Sequence, residues 1–286
     1  MKKILLSTFL LLWVFLAYSQ VSQYSKQQKV PASRAEFILF TGGSYYIGDL
    51  NPRNHFKLTQ PAGGCGFRYN LDPRLALRLN ILIGLVKGDD AVSLSLAQQQ
   101  RNLQFKSSIF EMSCQTEFNF MKYWMGEFKY LFTHYVFLGA GIFKFRPKAE
   151  VNHSWFELQP LTTEGQGTVA RPGTKKYKLT QLSVPFGVGV KINVAEQIGL
   201  SLEWGMRKTF TDYIDDVSTT YVSPAILTEQ SPLSASIADK SKYPEGVNVD
   251  NTGRQRGNSQ NKDWYSFTGL VLSFAFSKPP PKCYAY

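Results

Sequence analysis

The chain has 286 residues, enough for one large all-β domain or two ordinary domains. Its formal net charge is +11, which in an exported protein argues against nucleic acid and favours anionic lipid headgroups, acidic protein surfaces or simply a solvated surface. The three cysteines are far apart, which excludes a disulfide framework and the spacing of metal ligands.

The first residues have the features of a secretory signal peptide. Lys2 and Lys3 precede an apolar run over residues 4–16, and small residues follow up to Ser19. The alternative is a membrane anchor helix, but such a helix needs roughly 20 apolar residues and this run is shorter. We predict a cleaved signal peptide at residues 1–19 and a flexible periplasmic leader at residues 20–35.

The mature chain is rich in segments that alternate with the two-residue period of a β-strand. Residues 198–210 illustrate it, because Leu200, Leu202 and Trp204 lie on one face while Glu203 and Arg207 lie on the other. No later stretch is apolar enough for a transmembrane helix, and a closed β-barrel is the other structure that can span a membrane. Residues 36–277 are predicted to form this barrel, with a Pro-rich periplasmic tail at residues 278–286. In chain order, the eight predicted strands are residues 36–47, 61–69, 75–86, 110–120, 130–146, 179–192, 198–210 and 264–276.

The polar faces of these strands carry charged residues, which decides between two kinds of barrel. A soluble, lipocalin-like barrel would bury them in a dry core at a large cost, whereas the lumen of a membrane barrel lets them pair with one another and with water. We predict an eight-stranded antiparallel transmembrane up-and-down barrel. Its lumen is filled by side chains and forms no open pore. The predicted lumen charge network consists of Arg68, Arg78, Glu111, Glu117, Lys191, Glu203 and Arg207.

The connections between strands give the orientation of the barrel. Those after the first, third, fifth and seventh strands are long and the others are short, as in outer-membrane barrels with extracellular loops and periplasmic turns. The predicted location is therefore the cell outer membrane. The aromatic residues expected at an outward-facing membrane girdle are Tyr135, Phe143, Trp204, Trp264 and Phe276.

Catalytic and metal sites have little support in the sequence. A lipid hydrolase or acyltransferase would need a histidine, a serine and a carboxylate to converge, for example His153, Ser154 and one of the acids at residues 212–216. No GxSxG motif supports this arrangement. The same acidic cluster lacks the spacing of a known calcium loop. We predict no enzymatic activity, no cofactor and no metal.

Four segments resemble a family of known proteins. They are GGSYYIGDLNP (residues 42–52), WFELQPLTTEGQG (residues 155–167), PFGVGVK (residues 185–191) and TFTDYIDDVS (residues 209–218). Together and in this order they resemble the PorG-like family of Bacteroidetes outer-membrane β-barrels, over about residues 36–276. The chain departs from the family's simplest pattern in an extended loop over residues 219–263 and in its tail.

The resemblance implies a component of the type IX protein secretion system, or a paralogue of that component. Its partners would be outer-membrane lipid and the periplasmic ring proteins of the PorK and PorN kind, with no nucleic acid and no small-molecule substrate. In the orientation above, the candidate periplasmic contacts are Lys122, Tyr123, Trp124 and Lys129. A general outer-membrane barrel of the adhesion or porin type is the alternative function.

Overall fold

The computed structural model describes residues 34–126, 131–244 and 249–276. The predicted signal peptide at residues 1–19, the leader up to residue 33 and the tail at residues 278–286 lie outside the described residues. Lys129, one of the candidate periplasmic contacts, also lies outside them.

Eight antiparallel strands close into a barrel, so the predicted fold class is confirmed. Each strand pairs with its neighbours in chain order, and β1 closes the barrel against β9. A short additional strand, β6, pairs only with the far end of β5 and lies outside the closed wall. The strands are β1 Ala35–Ile47, β2 Gln60–Asn70, β3 Leu75–Asp89, β4 Gln104–Asn119, β5 Phe132–Val151, β6 Ser154–Glu157, β7 Thr180–Ala195, β8 Ile198–Thr209 and β9 Trp264–Ala275.

Helical segments are short and lie only in the connections. They are a 3₁₀ turn at Asp90–Val92 and the helices α1 Leu96–Arg101, α2 Leu158–Leu161, α3 Pro224–Gln230 and α4 Pro232–Ala238. Among the described residues, none of the helices combines the length and the apolar composition needed to cross a membrane.

The alternation in the sequence becomes an apolar outer wall and a buried inner face. On β3 the outward residues Leu79 and Ile83 are each 57% exposed, whereas the inward residue Arg78 is 2% exposed. On β8, Leu202 is 60% exposed and its neighbour Glu203 is 2% exposed. The apolar side of the wall therefore faces outward and the charged side faces inward, the reverse of a soluble barrel.

Strand β5 has apolar residues on both faces, so its sequence leaves its orientation open. In the structure Leu138 and Ile142 face outward, while Tyr135 and Phe143 face the lumen and are almost completely buried. The prediction that Tyr135 and Phe143 belong to an outward girdle is therefore wrong, because aromatic rings also fill part of the lumen. The other three predicted girdle residues, Trp204, Trp264 and Phe276, lie on or next to the outward face.

The two ends of the barrel differ in the length of their connections. The long-loop end carries residues 48–59, 90–103, 152–179 and 210–263, and the short-turn end carries residues 71–74, 120–131 and 196–197. One connection at the short-turn end, residues 120–131, is longer than a turn needs to be. Its buried residues, at positions 123–125, close that end of the barrel.

Candidate functional site: the sealed lumen and its cap

Toward the short-turn end, the lumen is organised around one carboxylate, Glu117 on β4. It lies 2.9 Å from Arg68 Nε, 2.9 Å from Arg78 Nη1 and 2.5 Å from Lys191 Nζ. These cations come from β2, β3 and β7, so the single carboxylate ties together strands on several sides of the barrel. All of these side chains are at most 2% exposed, a position that a charge tolerates only when it is paired.

Glu203 on β8 extends this network across the lumen. It accepts hydrogen bonds from Arg78 Nη1 at 2.6 Å and from the Tyr135 hydroxyl at 2.8 Å. The inward position of Tyr135 is thereby explained, because its hydroxyl supplies a donor to a buried carboxylate. Lys191 Nζ also lies 4.3 Å from the centre of the Tyr135 ring, which adds a cation–π contact.

The network contains one member that the sequence prediction missed, Glu36 on β1. It pairs directly across the strands with Arg68 and lies 2.7 Å from Arg68 Nη1. With Glu36 included, four carboxylates balance four cations: Glu36, Glu111, Glu117 and Glu203 against Arg68, Arg78, Lys191 and Arg207. Two signals in the sequence point to it, namely the missing fourth acid and its alternation with the outward residues Phe37 and Leu39.

Toward the long-loop end, the lumen is mostly aromatic and contains one ion pair. Arg207 Nε lies 3.1 Å from Glu111, which also accepts a hydrogen bond from the Tyr265 hydroxyl at 2.8 Å. The Arg207 guanidinium lies 4.8 Å from the centre of the Phe267 ring. The seven predicted lumen residues thus lie inside the barrel in two groups, one around Glu117 and one around Glu111.

Two of the large rings in the lumen require glycine on the neighbouring strand. Gly189 on β7 is paired with Tyr135 on β5, and a Cβ atom at Gly189 would lie only 2.6 Å from that ring. Gly187 is paired with Phe137 and would meet its ring at the same distance. The glycines of the PFGVGVK segment are therefore needed for the packing of the lumen.

The short-turn end is closed by the connection after β4. Tyr123, Trp124 and Met125 are 3–5% exposed, so they fill this mouth of the barrel. Pro73 O accepts a hydrogen bond from Tyr123 N at 3.0 Å, and Asn193 Nδ2 donates to Trp124 O at 2.9 Å. Of the candidate periplasmic contacts, Tyr123 and Trp124 are thus buried in the barrel and do not present their side chains to a partner. Lys122 lies beside them and is half-buried.

The long-loop end is closed by a cap, which we define as the described parts of residues 48–59, 90–103, 152–179 and 210–263. Its apolar residues, among them Leu50, Leu103 and Ile214, form one continuous core with lumen residues such as Phe105 and Phe143. A series of ring contacts connects the two regions, from Phe143 through Phe145 and Tyr177 to Tyr213. The barrel and its cap are therefore one packed unit.

Polar contacts in the cap join segments that are far apart in the chain. Glu164 accepts hydrogen bonds from Ser218 N at 2.8 Å and Thr219 N at 3.0 Å, and it lies 3.2 Å from Arg256 Nη1. Thr163 donates a hydrogen bond to Asp216. These contacts hold the WFELQPLTTEGQG segment against the TFTDYIDDVS segment.

A second set of contacts joins the cap to the first strand. The Tyr46 hydroxyl lies 2.5 Å from Asp215 Oδ2 and 3.0 Å from Asp263 Oδ1, and all three residues are buried. A hydroxyl has one proton, so it cannot donate fully to two ionised carboxylates. Burial and the neighbouring acids raise the pKa of both Asp215 and Asp263 well above the usual value, which favours a protonated carboxyl in this group.

Two further acids of the cap have pKa values closer to neutrality. Burial raises the pKa of Asp212 to about 7, and the nearby Asp49 contributes to the rise. Burial also raises the pKa of Asp216 to about 6, although Arg256 and the hydroxyls of Thr163 and Tyr177 oppose the shift. These carboxyls give the cap groups that titrate between pH 5 and 8.

The histidines do not form a catalytic group with these acids in the described part of the chain. His153 lies fully exposed at the turn between β5 and β6, whereas Asp212, Asp215 and Asp216 are buried. His134 is near the opposite end of β5, and His55 contacts Tyr45 on the outer wall. Across residues 34–126, 131–244 and 249–276, no group of three histidines, cysteines or acids is arranged to hold a metal ion.

A polar depression of about 310 Å³ opens on the outer surface of the cap. Arg101 and Arg256 line it, but Arg101 is paired with Asp90 at 2.7 Å and Arg256 with Glu164. These two cations are thus already engaged in holding the cap loops, and a third lining cation, Arg254, donates a hydrogen bond to Asn251 Oδ1 at 3.5 Å.

Comparisons with known proteins give a family and a set of similar barrels. A family model described as "Domain of unknown function (DUF6089)" matches residues 10–225. No curated protein matches the chain.

Neisserial surface protein A is similar in structure at 7% identity, covering 85% of this chain and 98% of that one, with a TM-score of 0.39. The attachment invasion locus protein Ail of Yersinia pestis, in complex with a heparin analogue, gives 8% identity, 85% and 97% coverage and a TM-score of 0.38. Pseudomonas aeruginosa OprG gives 12% identity, 85% and 97% coverage and a TM-score of 0.37.

Proposed function

We propose that this chain, which belongs to the DUF6089 family, is an outer-membrane β-barrel with a structural role, and neither a channel nor an enzyme. One observation carries the proposal: the wall is apolar on the outside, while ion pairs and aromatic rings fill the interior. The buried connection after β4 closes one end of the barrel and the cap closes the other. A barrel of this kind holds a position in a membrane and offers its two ends to other molecules.

The membrane location is supported by the exposed surface. Outward side chains on neighbouring strands, such as Leu79, Ile83, Met112, Leu138 and Leu202, are each more than half exposed. Soluble monomers rarely expose a contiguous apolar surface larger than a few hundred Å². Hydrocarbon around the wall removes the cost of exposing this apolar surface to water, and the pairing of β1 with β9 closes the two edges of the sheet that would otherwise lie in the lipid.

The structural role is supported by the way in which the interior is closed. The eight-stranded lumen is only wide enough for side chains, and charged residues from opposite walls meet across it. We expect the purified protein to form no large, stable channels in liposomes. Stable conductance at the level of a porin would contradict this part of the proposal.

Within this role, we propose the type IX secretion system as the setting, with the barrel helping to anchor or assemble the periplasmic ring at the outer membrane. The support is the resemblance of four segments to the PorG-like family. Because Tyr123 and Trp124 are buried, ring proteins of the PorK and PorN kind would instead meet the exposed residues of the short-turn end. Arg74 and Glu196 are exposed there, in the β2–β3 and β7–β8 turns.

Deletion of the gene, followed by an assay of type IX cargo export, tests the setting directly. We expect export to fail, and a plasmid copy to restore it. A copy with Arg74→Glu and Glu196→Lys should restore the barrel in the membrane but weaken co-purification with ring proteins. The matched control is Lys175→Glu with Glu229→Lys, which changes exposed residues of the cap. Normal export in the deletion strain would leave the general outer-membrane barrel as the function.

A further inference from the structure

The outward charges of the wall are confined to one end of the barrel. Between the short-turn end and the middle of the wall, the outward positions of the described strands carry no aspartate, glutamate, lysine or arginine. His134 lies among them. Near the long-loop end, two acids, Asp89 and Glu150, face outward. The outward cations at that level are Lys87, Lys106, Lys144, Arg146, Lys148 and Lys208.

Several of these cations lie opposite one another on adjacent strands. Lys87 on β3 is the direct cross-strand partner of Lys106 on β4, and Lys106 is the direct partner of Lys148 on β5. Like charges in direct cross-strand pairs destabilise a sheet. This row of three lysines therefore works against folding unless an anion lies over it.

The acids nearby neutralise the row only in part. Lys87 lies 3.7 Å from Asp89 and Lys148 lies 3.5 Å from Glu157, and all four side chains are partly exposed. Such exposed pairs contribute little. Lys106 Nζ lies 3.6 Å from the centre of the Trp155 ring, a contact that holds the ammonium in place without neutralising it.

Two more cations extend the surface toward the middle of the wall. Arg146 and Lys144 are exposed on β5, and neither forms an ion pair with another described residue. Lys144 directly follows the apolar belt, because the next outward residue on β5 is Ile142. We name this surface, formed by Lys87, Lys106, Lys144, Arg146 and Lys148, the cationic rim.

We propose that the cationic rim binds the phosphorylated headgroup of an anionic glycolipid in the outer leaflet. The proposal rests on the outer-membrane location proposed above and identifies the lipid that the wall meets there. Residues in a strand rise about 3.3 Å each, so Lys144 lies about 7 Å and Lys148 about 20 Å beyond Ile142 along β5, and the rim extends from the edge of the hydrocarbon outward through the headgroup layer. A headgroup with two phosphates can bridge cations on adjacent strands, and Trp155 provides an aromatic face at the same level.

A titration in detergent tests the proposal without depending on membrane insertion. The full chain, refolded in dodecylmaltoside, is titrated with bisphosphorylated lipid A and, separately, with its monophosphorylated and dephosphorylated forms. The variant is Lys106→Gln, Arg146→Gln, Lys148→Gln. The matched control is Arg53→Gln, Lys175→Gln, Lys176→Gln, which removes the same charges from exposed loop residues. Retained resistance to cold SDS shows that each variant is folded.

We expect the rim variant to bind bisphosphorylated lipid A roughly 100-fold more weakly than wild type, since each cation near a charged lipid surface contributes about one factor of five. The control should stay within about twofold of wild type. Equal binding by the rim variant and wild type would overturn the proposal, as would equal binding of the bisphosphorylated and dephosphorylated forms. Competition by millimolar inorganic phosphate would show a site for free phosphate and would also overturn it.

Flotation with phosphatidylcholine vesicles separates this proposal from the one on which it rests. If the wild-type chain floats but binds all forms of lipid A equally, the proposed membrane location stands and the proposed glycolipid site is refuted. If the folded chain does not float, the proposed membrane location is refuted, whatever the titration gives.

Discussion

Removal of the Glu117 carboxylate is the sharpest test of the lumen. In Glu117→Gln, the neighbouring cations keep unequal sets of partners. Arg68 retains Glu36 at 2.7 Å and Arg78 retains Glu203 at 2.6 Å. Lys191, which has its only ion pair in the described residues with Glu117, retains the Tyr135 ring. The substitution thus leaves one buried ammonium without a counter-charge.

The magnitude follows from this uncompensated charge. Breaking a buried ion pair by removing one partner costs about 3–5 kcal/mol, and two further hydrogen bonds to Glu117 weaken at the same time. We expect Glu117→Gln to lower the free energy of unfolding by about 3–5 kcal/mol. The double variant Glu117→Gln, Lys191→Met removes both charges and should recover at least half of that loss.

Urea unfolding in phospholipid vesicles, followed by tryptophan fluorescence and by mobility in cold SDS, measures these free energies. Glu229→Gln, an exposed substitution on α3, is the control for loss of one carboxylate and should change the stability by less than about 0.5 kcal/mol. A loss below about 1 kcal/mol in Glu117→Gln, or no recovery in the double variant, would refute the reasoning. The first result would mean that water reaches Lys191 and solvates it in the folded barrel, and the second that the loss arises from the contacts of Glu117 with Arg68 and Arg78.

Three further outcomes are expected. Because the pKa values of Asp212 and Asp216 are about 7 and about 6, both above the usual value of 3.8, the folded cap binds more protons than the unfolded one between about pH 4 and pH 7. The cap therefore loses stability as the pH rises through this window. Proteolysis of the loops, normalised to an unfolded substrate, should be faster at pH 8 than at pH 5.5, and less so in Asp212→Asn. Leu202→Arg should destabilise the vesicle-inserted barrel by about 2–4 kcal/mol, while Lys175→Arg should not, and equal urea midpoints would contradict a lipid-facing Leu202. A charge-neutral overfilling of the lumen, Gly189→Ala, should cost about 1–3 kcal/mol because its Cβ meets the Tyr135 ring, and unchanged unfolding would contradict that packing.

The strands could be predicted from the sequence because each outward face has a single environment. On β3, for example, the outward positions from Leu77 to Leu85 are all aliphatic, and this pattern determines both the strand and its orientation. The lumen has two environments, one charged and one aromatic. A rule that assigns apolar residues to the outside therefore fails for Phe143 and for Tyr135, whose hydroxyl is a partner of Glu203.

The closure of the two ends could not be predicted, because burial of a loop depends on partners distant in the chain. Tyr123 and Trp124 have the composition of an exposed interface, and only the Pro73 and Asn193 contacts show that they turn into the mouth. Similarly, the acids at residues 212–216 are typical of a solvated loop. Their burial depends on Tyr46, Thr163 and residue 263, which belong to three other parts of the chain.

The segments that resemble the PorG-like family have a common role in this structure, and that role decides where function should be tested. In PFGVGVK, Gly187 and Gly189 make room for aromatic rings and Lys191 pairs with Glu117. The other three segments contribute contacts that hold the cap, such as that of Tyr46 with Asp215.

Substitutions in these segments will lower stability whatever the protein does, so a loss of secretion in such variants would not separate function from folding. Exposed residues outside them do separate the two. Variants at the short-turn end test the partner, variants at the cationic rim test the lipid, and neither set removes a contact of the sealed interior.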